Sequence, residues 1–223
     1  MGERSVQRVT RSKLEARWQY DRLGRWYDLL EGRWERRLVR QAMAVLAPQP
    51  GEHILEIGPG TGWALVQLAE AVGPTGRVFA LDLSPGMLAV ARERTARARL
   101  GDRTELCLGD AARLPYSDSS FDGVFMSFVL ELFDTPEIPV VLSEVRRVLR
   151  PGGRSAVVAL SNKGDSLSRR LYEWGHGQFP RLLDCRPIDA EGSIHVSGLA
   201  VEQARLASIE GLPVEIVLAR RPK

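Results

Sequence analysis

Ile54-Leu55-Glu56-Ile57-Gly58-Pro59-Gly60-Thr61-Gly62 is the stretch whose reading decides the fold. The short apolar run His53–Ile57 reads as a strand. Three glycines at alternate positions follow it. Residues 62–72 then carry Ala64, Leu65, Leu68, Ala69 and Val72 at helical spacing, and Gly73-Pro74 stops the helix. Strand, glycine turn and helix form the setting in which such a loop has meaning. Glycine lets the backbone turn tightly and approach a ligand, and a helix N-terminus offers N–H groups without partners. The dinucleotide fingerprint G-x-G-x-x-G is not met, because Trp63 stands at its last position. A bulky residue there suits a ligand with no pyrophosphate pressed into the loop.

Working outward, residues 77–81 read as a second strand that ends at Asp82, twenty residues beyond Gly62. An acidic residue at that place can accept both hydroxyls of a ribose. Ser84-Pro85 is an N-cap followed by a proline at the first helical position, opening a helix to about residue 98. Thr104–Leu108 and residues 123–128 read as strands three and four. Thr135-Pro136 opens a helix with Val141, Val145 and Val148 on one face, and Arg150-Pro151-Gly152-Gly153 ends it. Residues 154–160 are the fifth strand. Regular alternation of strand and helix argues for a parallel sheet covered on both faces.

The flanks read differently. Residues 12–47 are expected to be helical, with Trp18, Tyr20, Trp26, Tyr27 and Trp34 as punctuation, and to stop at Pro48 and Pro50. Toward the C-terminus a helix over 167–174, a loop over 175–187 and a short helix over 188–197 interrupted by Gly192 are expected. The strands Ala200–Ile209 and 213–219 would then close the sheet as a hairpin.

Composition bounds the function. With 223 residues, 44% hydrophobic and 26% charged, the chain has the size and balance of one soluble domain. No apolar run approaches the roughly 18 residues of a membrane span, and the first residues have no apolar stretch of a secretory signal. Val6 breaks the myristoylation pattern. Cys107 and Cys185 are far apart and form no metal-ligand cluster, so no metal is expected and a cytoplasmic location with reduced thiols is. Net charge is +3, but residues 1–40 hold eleven Lys or Arg against six Asp or Glu. That basic segment fits a peripheral contact with an anionic membrane, a nucleic acid, or simply a solvated helix face. The basic residues do not continue across the remainder, which argues against nucleic acid.

Taken as a set, the motifs resemble the class I S-adenosylmethionine-dependent methyltransferases. The set is E-x-G-x-G-x-G from Glu56 to Gly62, Asp82, Gly109-Asp110-Ala111, Leu114-Pro115-Tyr116, Ser120-Phe121-Asp122 and the run from Val148 to Gly153. Their order is most similar to the ubiquinone/menaquinone-biosynthesis methyltransferase group and its small-molecule and phospholipid relatives. Tyr20-Asp21 and Trp26-Tyr27-Asp28 are similar to an aromatic-Asp element that lids the cofactor there. One departure is plain: Glu131 and Leu132 stand where the quinone enzymes carry Arg-Asn.

The resemblance implies an α/β, doubly wound, mostly parallel seven-stranded sheet of Rossmann-like type, with an antiparallel last strand and an N-terminal helical lid. It implies one domain over 1–223: a lid over 1–47, a cofactor-binding core over 48–160 and an acceptor-side part with the C-terminal hairpin over 161–223. S-adenosyl-L-methionine would be the cofactor and S-adenosyl-L-homocysteine the product. Gly58, Gly60, Thr61 and Gly62 would cradle it, and Glu56 would orient the loop or the methionine amino group. Asp82, with Leu83 beside it, would take the ribose; Asp110, Ala111 and Met87 the adenine. Ser127 and Tyr27 complete the implied cofactor set. Methyl transfer asks mainly for alignment, although an oxygen or carbon acceptor adds need for a general base. His176 and Glu131 are the candidates for catalysis. His53 reads as structural and His195 as a surface residue. The expected reaction is methylation of a small apolar or amphipathic acceptor. An RNA methyltransferase and a non-enzymatic S-adenosylmethionine-binding module are the alternatives, and oligomeric state stays open.

Overall fold

Alternation of side chains along each strand sets the layers of this computed structural model, which describes residues 33–163, 186–209 and 211–223. The elements in chain order are α1 (Arg33–Leu46), β1 (His53–Ile57), α2 (Trp63–Ala71), β2 (Arg77–Asp82), α3 (Pro85–Arg97), β3 (Thr104–Leu108), β4 (Phe121–Ser127), α4 (Ile138–Val148), β5 (Leu149–Leu160), α5 (Ala190–Val196), β6 (Ala200–Ile209) and β7 (Leu212–Arg220). The expectations for residues 12–32, Tyr27, the helix over 167–174 and His176 lie outside the described residues.

In β1, Ile54 turns to one side with Leu38, Leu46, Leu65 and Leu68 of α1 and α2. Leu55 and Ile57 turn to the other, with Val141 and Val145 of α4 and Ile194 of α5. Helices therefore cover both faces of the sheet. Neighbouring strands obey the same period: Phe125 and Val158 join the α1 and α2 side, and Val124 and Val157 the α4 side.

The sheet has seven strands in the order β3-β2-β1-β4-β5-β7-β6. The first five in that order are mutually parallel, and β7 runs antiparallel between β5 and β6. The chain winds outward both ways from β1 and β4, so the crevice outside their carboxyl ends is the topological switch point, where α/β sheets bind ligands.

Sequence and structure agree closely in the core and part at four places. β4 begins at Phe121 and stops at Ser127, because Phe128 takes a left-handed φ of 53°. β5 runs straight through Pro151-Gly152-Gly153, where a turn was expected. Phe121 pairs with Leu149 and Gly123 with Arg154, so the surplus residues on β5 are absorbed as a bulge. The helix expected from Thr135 begins at Ile138, after a turn in which Glu137 N–H donates to Asp134 O at 2.8 Å. Pro139 then takes the early helical position. Gly192 does not interrupt α5 but allows it to start. The Asp189 carboxylate caps the helix by accepting from Gly192 N–H at 2.9 Å, and a Cβ there would lie 2.3 Å from Asp189 Oδ2.

Two local devices hold the loops, one at each edge of the sheet. Gly62 has a φ of 82°, and a Cβ on it would meet Ala91 Cα and Cβ at 2.9 Å, so its bareness lets α2 and α3 pack together. Arg147 of α4 grips the segment between β3 and β4. Its guanidinium donates to Tyr116 O at 2.8 Å, Leu114 O at 3.1 Å and Asp118 Oδ1 at 2.8 Å. Its Nε donates to Glu144 Oε1 at 2.7 Å, while Glu144 Oε2 accepts from Leu114 N–H at 2.8 Å. The hydrogen bond from Arg147 holds the Glu144 carboxyl below the usual carboxylate range.

Gly62→Ala combines a left-handed φ with a backbone clash, so a loss of more than about 1 kcal/mol is expected in chemical denaturation. Unchanged stability would show that α2 and α3 can separate freely. Glu144 is depressed in the fold, so its contribution is present above the ordinary carboxylate pKa and lost as pH falls below it. Arg147→Met is expected to lower the melting temperature at pH 7 and to flatten its decline on the acid side. An acid limb as steep as in the parent protein would remove this pair from the account.

Candidate active site

Backbone hydrogen bonding continues past the strand ends and fixes the loops that leave them. Gly58 N–H donates to Leu81 O at 2.9 Å, Gly109 N–H to Asp82 O at 3.0 Å and Phe128 N–H to Val158 O at 2.8 Å. Each loop is thus stitched to the neighbouring strand at the point where the side chains of interest begin. Gly58 has a φ of 69°, and a Cβ on it would lie 2.4 Å from Val129 Cγ2. No other residue fits that turn, and Val129, just beyond β4, buttresses it from below.

Three carboxylates come from the ends of consecutive strands. Glu56 lies on β1 and is 1% exposed. Asp82 ends β2, is half-buried, and its Oδ1 accepts from Ser84 N–H at 2.8 Å. Asp110 follows β3, and its Oδ1 accepts from Ala112 N–H at 2.9 Å. Leu83 is half-buried beside Asp82. The Ser84 hydroxyl caps α3 by accepting from Met87 N–H at 3.0 Å, and Met87 is buried in the first turn of that helix. Ala111 is buried in the layer under α4. Ser127, half-buried, ends β4 on the far side of Gly58.

The sequence reading missed several partners of these residues. Thr61 is fully buried, and its Oγ1 accepts from Arg94 Nη1 of α3 at 3.0 Å. Trp63 turns toward α1, where the guanidinium carbons of Arg36 and Arg40 lie 5.7 and 5.3 Å from its ring centroid. The bulk at position 63 is thus explained by packing against α1. Helical spacing of Arg36 and Arg40 was visible in the sequence, but nothing there named Trp63 as their partner.

The remaining candidates sort clearly. His53 opens β1, its N–H donates to Asp122 Oδ2 at 2.8 Å, and its ring leans on Phe79 at 5.8 Å, a structural role as expected. His195 is exposed on α5. Glu131 sits in a 3-10 turn (Leu130–Leu132) after β4, is 0% exposed, and accepts from Leu160 N–H at 3.0 Å. Arg186, 2% exposed, donates to Phe133 O at 2.5 Å and Thr135 Oγ1 at 3.1 Å just beyond that turn. Among the described residues, no group of three or more His, Cys, Asp or Glu side chains could hold a metal, and no helix is long and apolar enough to cross a membrane.

The arrangement fits S-adenosylmethionine. At Gly58 a Cβ would strike Val129, so only bare backbone can make the turn, α2 opens directly after the glycine loop, and the acids stand at the ends of β2 and β3.

Comparison with known proteins agrees. Residues 54–153 match a family described as a methyltransferase domain. The demethylmenaquinone methyltransferase of Symbiobacterium thermophilum is 39% identical over 140 residues, covering 60% of this chain and 55% of the relative. The ubiquinone/menaquinone biosynthesis C-methyltransferase of Paracoccus denitrificans is 36% identical over 146 residues, covering 66% of this chain and 57% of the relative. The chain therefore spans a little over half the length of these curated relatives. Among solved structures, a [4+2]-cyclase superposes with a TM-score of 0.77 over 99% of both chains at 17% identity. An S-adenosylmethionine-dependent methyltransferase from Aquifex aeolicus gives 0.65 over 89% of this chain and 98% of its own, at 21% identity. These two likenesses speak for the fold alone. The segment similar to a methyltransferase domain runs from β1 into β5 and takes in the glycine loop and all three carboxylates.

Proposed function

We propose that the protein transfers a methyl group from S-adenosylmethionine to a small apolar or amphipathic acceptor of quinone-like class. The observation that carries this reading is the glycine turn at Gly58, buttressed by Val129 and flanked by Asp82 and Asp110 at the next two strand ends. The names of the relatives from Symbiobacterium thermophilum and Paracoccus denitrificans support the quinone class.

When bound, the cofactor supplies a methyl group on a positively charged sulfur, which an oxygen or carbon nucleophile displaces. The residues of the chain bind and orient. Gly58, Gly60, Thr61 and Gly62 shape the seat, and Arg94 holds Thr61 in place. Asp82 accepts from the ribose hydroxyls, Asp110 from the adenine amino group, and Met87 and Ala111 flank the ring. Glu56 orients the methionine end, with Ser127 and Leu83 completing the walls. Tyr27 and His176, as a lid residue and a base, remain part of this proposal. The basic N-terminal segment brings the protein to an anionic membrane surface, where an amphipathic acceptor resides. Arg37 and Arg40 on α1 are exposed and continue that charge.

Calorimetry is expected to show S-adenosylhomocysteine binding and no NAD binding, and the opposite pattern would overturn the reading. Asp82→Ala removes two charge-assisted hydrogen bonds that share one carboxylate, so affinity should fall ~30- to 1000-fold. Because Asp82 also closes a turn on Ser84 N–H, the alanine variant should lose about 1 kcal/mol of stability without ligand. Asp82→Asn keeps an acceptor for that turn and separates the two roles. Its melting temperature should stay near the parent value while its affinity drops. Normal affinity in both variants would remove Asp82 from the ribose. For the membrane contact, flotation with anionic liposomes at low salt should be clear for the full chain and weaker without residues 1–19. Equal, negligible flotation would eliminate it.

A further inference from the structure

Among the described residues the sheet ends in open edges at β3 and β6, and the two are unlike. β3 is 5 residues long and carries an exposed Glu105. A short edge with a charge on it resists further pairing. β6 is 10 residues long. Its bulge lies between Val201 and Gln203, and from Gln203 to Ile209 the register with β7 runs unbroken.

One hydrogen bond fixes which groups of β6 look outward. Ser161 N–H, just past β5, donates to Pro213 O at 2.8 Å, so the backbone of Pro213 faces the β5 side. Opposed residues in antiparallel strands alternate between bonded and unbonded pairs. Ser208, opposite Pro213, therefore makes no ladder bond to β7 and turns its N–H and C=O away from it. Leu206 and Ala204, opposite Glu215 and Val217, do the same by the period of the strand. Among the described residues nothing takes these groups. Ala204 and Ser208 are exposed, and Leu206 is 60% exposed.

The flanking side chains differ between the two faces. On the α1 face, Ala207 and Ile209 pack into the layer of Val214 and Ile216. A recess of about 220 Å³ opens there between α1 and β6, lined by Arg37, Leu38, Gln41, Ala207 and Ser208. Arg205, opposite Ile216, stands on the same face. Arg37 and Arg205 are exposed, and no carboxylate pairs with either among the described residues. Leu206 lies on the other face, opposite Glu215. A strand laid along this edge meets cations on one face and an apolar side chain on the other.

That charge disfavours a second copy as the occupant. Two β6 edges paired about a two-fold axis at Leu206 would set Arg205 of the second copy opposite Ala207, at the recess where Arg37 already stands. Centred on Arg205, the pairing would oppose the arginines themselves. Like charges directly opposed across strands are destabilising. Residues 1–32 and 164–185 are not acidic either, since each stretch holds at least as many Lys and Arg as Asp and Glu.

We propose that the edge of β6 from Ala204 to Ser208 docks an extended acidic segment of a partner protein by strand addition, the segment's carboxylates alternating with apolar residues. Backbone pairing supplies affinity, and alternate side chains choose the partner. A carboxylate opposite Ala207 sits at the recess between Arg37 and Arg205, and the neighbouring apolar residues cover Leu206. Strands β4, β5 and β7 separate this edge from β1 and its glycine loop, so docking leaves the cofactor seat free.

The test is calorimetry on the full chain with short blocked peptides. One alternates Glu and Val, and one alternates Lys and Val. A third is the Glu–Val peptide N-methylated at every residue, which keeps its charges and cannot pair. The Glu–Val peptide is expected to bind, the Lys–Val peptide not to bind, and the N-methylated peptide to bind at least about tenfold more weakly. Ser208→Pro deletes an outward N–H that β7 does not use, and edge strands accept Pro at such places. Its melting temperature should stay near the parent value while affinity for the Glu–Val peptide falls about tenfold. Arg205→Glu should weaken that peptide ~3- to 10-fold, more at low salt than at high.

If Ser208→Pro does not fold, the N-methylated peptide and Arg205→Glu decide the matter. Equal binding of the N-methylated and parent peptides reduces the contact to charge attraction and overturns the proposal, as does a Glu–Val peptide that fails to bind. Sedimentation without peptide is expected to give the same species for the parent protein and Ser208→Pro. A dimer that Ser208→Pro dissolves would hand the edge to a second copy and overturn the proposal as well.

Discussion

The parallel pairing of β1 with β2 on one side and β4 on the other is the constraint on which the site depends. Strands paired this way are buried on both faces, so their interiors must be apolar and their polar residues collect where the strands end. Parallel direction puts those ends on one edge. Gly58, Asp82, Gly109 and Phe128 therefore arrive together, although 70 residues of chain separate the first from the last. The backbone bonds from Gly58 to Leu81 and from Gly109 to Asp82 continue the ladder beyond the strands, so the loops inherit the rigidity of the sheet. A site built this way needs little adjustment when a ligand arrives, which suits a reaction governed by alignment.

The opposite edge does the holding. Arg154, at the point where β5 resumes regular pairing with β4, donates to the carbonyls of Leu46 and Ala47 and to both oxygens of Glu52. Arg150 pairs with Asp122, and Arg221 reaches the Leu149 carbonyl. The Arg154 guanidinium is 13% exposed, so its pairing is less screened than that of a surface ion pair, though still modest in net energy. Its effect is geometric. It fixes the C-terminal end of α1 at the amino edge of the sheet, and the helix then runs back toward the carboxyl edge, where Glu35 acts on Glu131. Trp63, clasped by Arg36 and Arg40, locks the middle of α1 to the helix that leaves the glycine loop.

Much of this was legible because the signals are local. Strand β1 followed by glycines, Ser84-Pro85 opening α3, and the apolar spacing in α2 each depend on a few neighbouring residues, and their boundaries came out within a residue or two. What could not be read depends on distant partners. The long β5 arises because Leu149 finds Phe121 across the sheet, which outweighs the turn propensity of Pro151-Gly152-Gly153. Gly192 looked like a breaker until Asp189 was seen above it. Thr61 was assigned to the cofactor seat, but its grip on Arg94 joins residues 33 positions apart. The burial of Glu131 was hidden for the same reason, since its partner Leu160 lies on the next strand.

Shape alone does not choose the chemistry. A [4+2]-cyclase shares this fold across 99% of both chains at 17% identity, so the sheet and its helices are compatible with reactions other than the one proposed here. The difference between such proteins must lie in the few side chains at the carboxyl edge. Position 131 carries an acid, fully buried in the turn after β4. A second guanidinium near the buried Arg186 would add like charge in a place with little water to screen it. An acid is compatible with Arg186, and burial rather than that arginine sets its protonation. The acid at position 131 thus belongs with the arginine at 186. Together they set the charge of the turn after β4, at the edge of the sheet where the glycine loop also lies.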